Sequence, residues 1–99
     1  MIRKVTFTHA QQQQLLHWLD EAAMLGLEAE YERCLAVIEF RLKYEADEWG
    51  ELKGHYLFAR LVVRSGRFEL LEVDYAVHED DPMVFVRSIA CRFPTIPGA

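Results

Sequence analysis

Apolar and polar positions alternate from Ile2 to Phe7, in a stretch rich in β-formers, which predicts a short first strand. At Thr8, a good N-cap, the period changes. Leu15, Leu16, Leu19, Ala22 and Ala23 recur at helical spacing, with Gln11 to Gln14 mostly on the solvated side. Gly26 interrupts this helix. A second one follows, with Tyr31, Cys34, Leu35, Ile38 and Leu42 on one stripe and Glu28, Glu30, Glu32, Arg33 and Glu39 largely off it. So short a break between two helices predicts an antiparallel hairpin. Residues 45–55 hold two glycines and no sustained period, and read as a loop. Three strand-like segments come next, Tyr56–Arg64, Phe68–His78 and Met83–Cys91, with turns at Ser65-Gly66-Arg67 and Glu79-Asp80-Asp81-Pro82. The pattern predicts one α+β domain over residues 1–99: an N-terminal strand, a helical hairpin, and a three-stranded antiparallel meander completing one sheet.

Alternation assigns faces within the meander. Leu57, Ala59, Leu61 and Val63 share one side of its first strand, and Tyr56, Phe58, Arg60, Val62 and Arg64 the other. In the next strand Leu71, Val73, Tyr75 and Val77 oppose Leu70, Glu72, Asp74, Ala76 and His78; the last strand is ambiguous. The simplest arrangement gathers Arg60, Arg64, Glu72, Asp74 and Arg87 on an open, charged face away from the helices.

Composition narrows the classes. Hydrophobic residues make up 52% of 99 positions, enough for one small core and no more. No apolar run approaches the length of a membrane span, and Met1-Ile2-Arg3-Lys4 lacks the apolar stretch of a secretory signal. Cys34 and Cys91 are too few for a disulfide framework or a zinc site, so a cytoplasmic protein with reduced thiols is expected. The net charge of −5 is uneven: residues 20–51 hold ten acids against three bases, while residues 52–99 balance six against six. Without a dense basic stripe, generic coating of DNA or RNA is disfavoured and only a local phosphate site is left.

A first strand ending Val5-Thr6-Phe7-Thr8, a helical hairpin containing Ile38-Glu39-Phe40-Arg41-Leu42 and a Gly-containing loop is similar to the RelE/ParE family of bacterial toxins. Tyr75-Ala76-Val77-His78-Glu79-Asp80, followed by Val84-Phe85-Val86-Arg87-Ser88-Ile89, resembles that family's last two strands and their turn. The likeness covers roughly residues 5–93. It implies the toxin of a type II toxin–antitoxin module, with an antitoxin protein as partner. A RelE-like member is a metal-free, cofactor-free endoribonuclease that cleaves mRNA on the ribosome and inhibits translation. A ParE-like member shares the fold but targets gyrase. The RelE-like chemistry needs a base for the attacking 2′-hydroxyl, cations on the phosphate oxygens and an acid for the leaving 5′-oxygen.

Carried onto this chain, the resemblance places Arg60 on the first meander strand and Arg92 after the last strand at positions where the family keeps basic residues. An acid near Glu72 stands where the family has an arginine, and Phe93 to Ala99 contain no tyrosine or histidine. His55, in a Gly-flanked loop beside Lys53, and His78, at a hairpin end, are the histidines placed to move a proton. Lys53, Arg64 and Arg87 complete the candidate phosphate-binding set. Each has a plainer reading. Arg60 and Arg87 can pair with Glu72 and Asp74 across the sheet, and the histidines can be exposed and idle. Trp49 either closes the core or marks a contact. The rival to the toxin is a non-catalytic interaction module on the same fold, acting through its acidic helices or charged sheet face, with a homodimer left open.

Overall fold

A computed structural model describes residues 2–94. Seven elements follow in order: β1 Lys4–Thr6, α1 His9–Met24, α2 Glu28–Tyr44, β2 Glu51–Tyr56, β3 Leu61–Phe68, β4 Leu71–His78 and β5 Met83–Cys91. The predicted α+β class, first strand and helical hairpin are all present. Thr8 caps α1 as expected: its hydroxyl accepts from the Gln11 amide at 3.1 Å, and the Gln11 side chain accepts from the Thr8 amide at 2.9 Å. Gln11 also donates to the Val86 carbonyl at 3.0 Å, which ties α1 to β5 and takes this glutamine off the solvated side. Leu16, expected on the apolar stripe, is exposed. Gly26 ends the first helix at φ +74°, a conformation glycine adopts without strain.

The sheet has five strands rather than four, in the order β1-β5-β4-β3-β2. β2 to β5 form an antiparallel meander, and β1 lies parallel to β5 with Val5 opposite Val84. Two boundaries differ from the sequence pattern. Residues 51–55, read as loop, are edge strand, and the segment 56–64 is broken by a turn at residues 57–60. Ser65-Gly66-Arg67, read as a turn, lies inside β3, and the chain reverses instead at Glu69 and Leu70. Trp49 is the physical reason. Its ring packs on Gly66, where an added Cβ would stand 2.4 Å from a ring carbon, so this glycine marks a close approach rather than a reversal. The true turns carry positive φ on non-glycine residues, Arg60 at 55° and Glu69 at 49°, and so lack the usual turn signature.

The helices cover one side of the sheet. Tyr31, Cys34, Ile38 and Leu42 of α2 are buried against Leu71, Val73, Tyr75 and Val77 of β4 and Val84 and Val86 of β5. Trp49 closes this core, stacked on Tyr75 with centroids 5.9 Å apart. The Tyr75 hydroxyl lies 2.6 Å from the Trp49 carbonyl and 2.8 Å from that of Ala46, which pins the 45–50 loop to the sheet.

Candidate functional site

The register sorts the candidate residues by face. Arg64 pairs with Tyr75 and therefore stands on the helix side, not on the open face expected for it. Its guanidinium donates to the Gly50 carbonyl at 3.1 Å. Arg60 is not a strand residue either. It sits in the β2–β3 turn, with Nε 2.5 Å from Asp80 and Nη2 3.6 Å from Glu79. His55 contacts the same Glu79 through Nε2. Arg60 thus pairs with the acids of the β4–β5 turn, not with Glu72 or Asp74. Nδ1 of His78 accepts from the amides of Asp80 and Asp81 at 3.1 and 3.0 Å, which makes it a turn-holding group.

Arg92 lies at the far end of the sheet, 3.8 Å from Glu72. Seven strand positions separate the two ends, from Leu61 opposite His78 to Leu71 opposite Cys91, a span of roughly 20 Å at the usual strand rise. Arg60 and Arg92 therefore cannot grip one phosphate together.

Lys53 and Arg87 are brought together. Both occupy bulges. Partners shift between Leu52 and Gly54, leaving Lys53 unpaired in β2, and between Asp74 and Tyr75, where β5 carries the extra residue Arg87. An unpaired bulge residue is re-aimed out of the strand's alternation. Here both line one open-face depression of about 350 Å³, with Val63, Asp74 and Ser88. The Arg87 guanidinium sits 5.6 Å from the centre of the Tyr56 ring, and Lys53 is 3.3 Å from Glu51. Ser88 donates to Asp74 at 3.0 Å, which orients that carboxylate. The depression so combines two cations and an oriented carboxylate, with the Tyr56 ring beside Arg87 outside its lining. Alternation alone could not find it, because a bulge breaks the period on which face assignment rests.

Beside it the β2–β3 turn exposes an apolar tip, with Leu57 73% and Phe58 fully accessible. Among the described residues there is no cluster of metal-ligating side chains, and no helix is long and apolar enough to cross a membrane. Comparison of the chain with known protein families, with curated proteins and with solved structures finds no match.

Proposed function

We propose that this chain is the toxin component of a RelE/ParE-like toxin–antitoxin module, acting in the cytoplasm on mRNA at the ribosome through the open face of its sheet. The observation that carries the reading is the convergence of Lys53 and Arg87, from two separate bulges, on one depression with Asp74, where Arg87 also meets the ring of Tyr56. In this reading Lys53 and Arg87 hold the scissile phosphate. Asp74, oriented by Ser88, takes the proton of the attacking 2′-hydroxyl, and the Tyr56 phenol protonates the leaving 5′-oxygen. Arg60, His55 and His78 lie at the β2–β3 and β4–β5 turns and Arg92 at the far end of the sheet, none of them lining this depression, so they serve the turns and ends of the sheet rather than the reaction.

A second reading rests on a different observation, the bare Leu57–Phe58 tip. There the chain is a docking module that stops growth by binding a protein, gyrase or another, and cuts nothing. One experiment separates the two: induction in a bacterial host, together with mapping of reporter mRNA ends in cell-free translation. Codon-phased cuts that need translating ribosomes, and fall about 100-fold or more in Arg87→Ala, are expected of the nuclease. Growth arrest with intact message, relieved by Phe58→Asp, would replace it with the docking module. Absence of both cuts and arrest would overturn the toxin reading itself.

A further inference from the structure

The β4–β5 turn is built around a group that can change its charge. His78 ends β4, and its side chain is 22% exposed. Its Nδ1 accepts from the backbone amides of Asp80 at 3.1 Å and Asp81 at 3.0 Å. A backbone N–H only donates, so Nδ1 carries a lone pair here and the neutral ring keeps its proton on Nε2. Two neighbours rest on this turn. The Pro82 carbonyl accepts from the Lys4 amide at 2.7 Å, beside the pairing of Lys4 with Met83, so the turn places the start of β1. On its other side the Glu79 amide donates to the Arg60 carbonyl at 2.9 Å, and the carboxylates of Glu79 and Asp80 hold the Arg60 side chain.

A proton on Nδ1 takes the lone pair that both amides share. Imidazolium has a donor on each nitrogen and no acceptor, so the two amides lose their partner and Nδ1–H needs one. Asp81 supplies it, since its Oδ2 already lies 3.8 Å from Nδ1. The turn therefore has two exclusive arrangements. In one, Nδ1 accepts from the main chain; in the other, Nδ1–H donates to the Asp81 carboxylate, which must close in by roughly 1 Å to reach hydrogen-bond length. The Asp81 carbonyl accepts from the Met83 amide at 2.8 Å, so such a movement reaches the first residue of β5. The other charged groups around the ring are Glu79 and Asp80 of the same turn, Lys4 of β1, and Arg60. Arg3, Asp47 and Arg64 share a cavity lining with His78. Only one of the neighbours is a second imidazole, His55 of β2, and its partner is the Glu79 side chain rather than a turn amide.

We infer that His78 is a pH-operated latch: neutral, it holds the β4–β5 turn and through Pro82 the start of β1; protonated, it passes to Asp81 and releases both. The test follows the full chain, labelled with ¹⁵N, by NMR from about pH 8 to about pH 5, the range in which an imidazole switches. At the upper end, long-range ¹H–¹⁵N correlations should show the His78 proton on Nε2. As pH falls, the amide protons of Asp80, Asp81 and Lys4 should move together along the His78 titration curve. Below its midpoint the Lys4 amide should lose protection against exchange by about tenfold per pH unit, the limit for one proton. His78→Asn, whose side-chain oxygen accepts at any pH, should keep all three amides in place, and His55→Gln should leave the wild-type curve unchanged. Amides that stay fixed while His78 titrates overturn the latch, as does a proton found on Nδ1 at the upper pH. The same curve persisting in His78→Asn, or vanishing in His55→Gln, overturns it too. If His78→Asn does not fold, the wild-type tautomer and His55→Gln decide the same question.

Discussion

Gly66 shows how much one atom decides. The Trp49 ring occupies the space a Cβ would need, so Gly66→Ala forces the ring off Tyr75. Such overpacking costs about 1–3 kcal/mol, measurable by urea unfolding, and Trp49→Ala should remove most of the added penalty in a double-mutant cycle. Charge pairs at this scale are smaller. Arg60 and Asp80 are both more than half exposed, so their coupling should fall at about 0.2–1 kcal/mol. The Arg60 and Glu72 pair, which sequence alternation puts side by side, should show none, because these residues stand in different parts of the sheet. Burial raises the pKa of Tyr31, Cys34, Tyr75 and Cys91 and so sets the alkaline limit. Burial pushes the Tyr75 phenol from 10.0 up to about 12, and burial likewise pushes the Cys91 thiol from 9.0 up to about 11. In each the folded chain holds its proton more tightly than the unfolded one, so this contribution is whole below pH 9 and is lost as pH rises from 9 to 12. Unfolding free energy that stays flat across that range would contradict it.

Elements differ in how openly the sequence declares them. Both helices show in their period, and Thr8 announces the α1 cap, to which the structure adds the reciprocal Gln11 bond; Thr8→Ala should cost about 1 kcal/mol. β4 is plain because its inner positions Leu71, Val73, Tyr75 and Val77 keep strict alternation. β2 was hidden. It is an edge strand whose residues are mostly exposed, so no buried face imposes a period on Glu51–Tyr56, and its bulge at Lys53 breaks what alternation remains. The β2–β3 turn was hidden for the opposite reason, since Leu57, Phe58 and Ala59 look like strand but are bare. Of the candidate site, sequence reading reached Lys53 and Arg87 as residue types. It could not bring them together, because the two bulges that do so depend on pairing between strands. The exposed tip makes a clean prediction: Phe58→Asp should leave the unfolding midpoint within about 0.5 kcal/mol of the parent, so any effect on growth reads function.

At the scale of the whole molecule the chain is elongated, 50 × 22 × 21 Å, and carries a net charge of −5. An acidic body with two cations at its open-face depression can read phosphate only locally. If Lys53 and Arg87 are the phosphate contacts, log K for a short single-stranded RNA should fall with log salt at a slope of about −1.4, at about −0.7 per contact. A slope several times steeper would mean contacts elsewhere, and Arg87→Ala should halve it. The parallel pairing of β1 with β5 bears on how the molecule is born. Lys4 to Thr6 leave the ribosome well before their partners Met83 to Phe85, with two helices and three strands between them. The strand must therefore wait, unpaired, until all of these have been made. Closing so long a loop places the sheet's completion late and slow in folding, and until then one edge of β5 stands open to pairing with another chain.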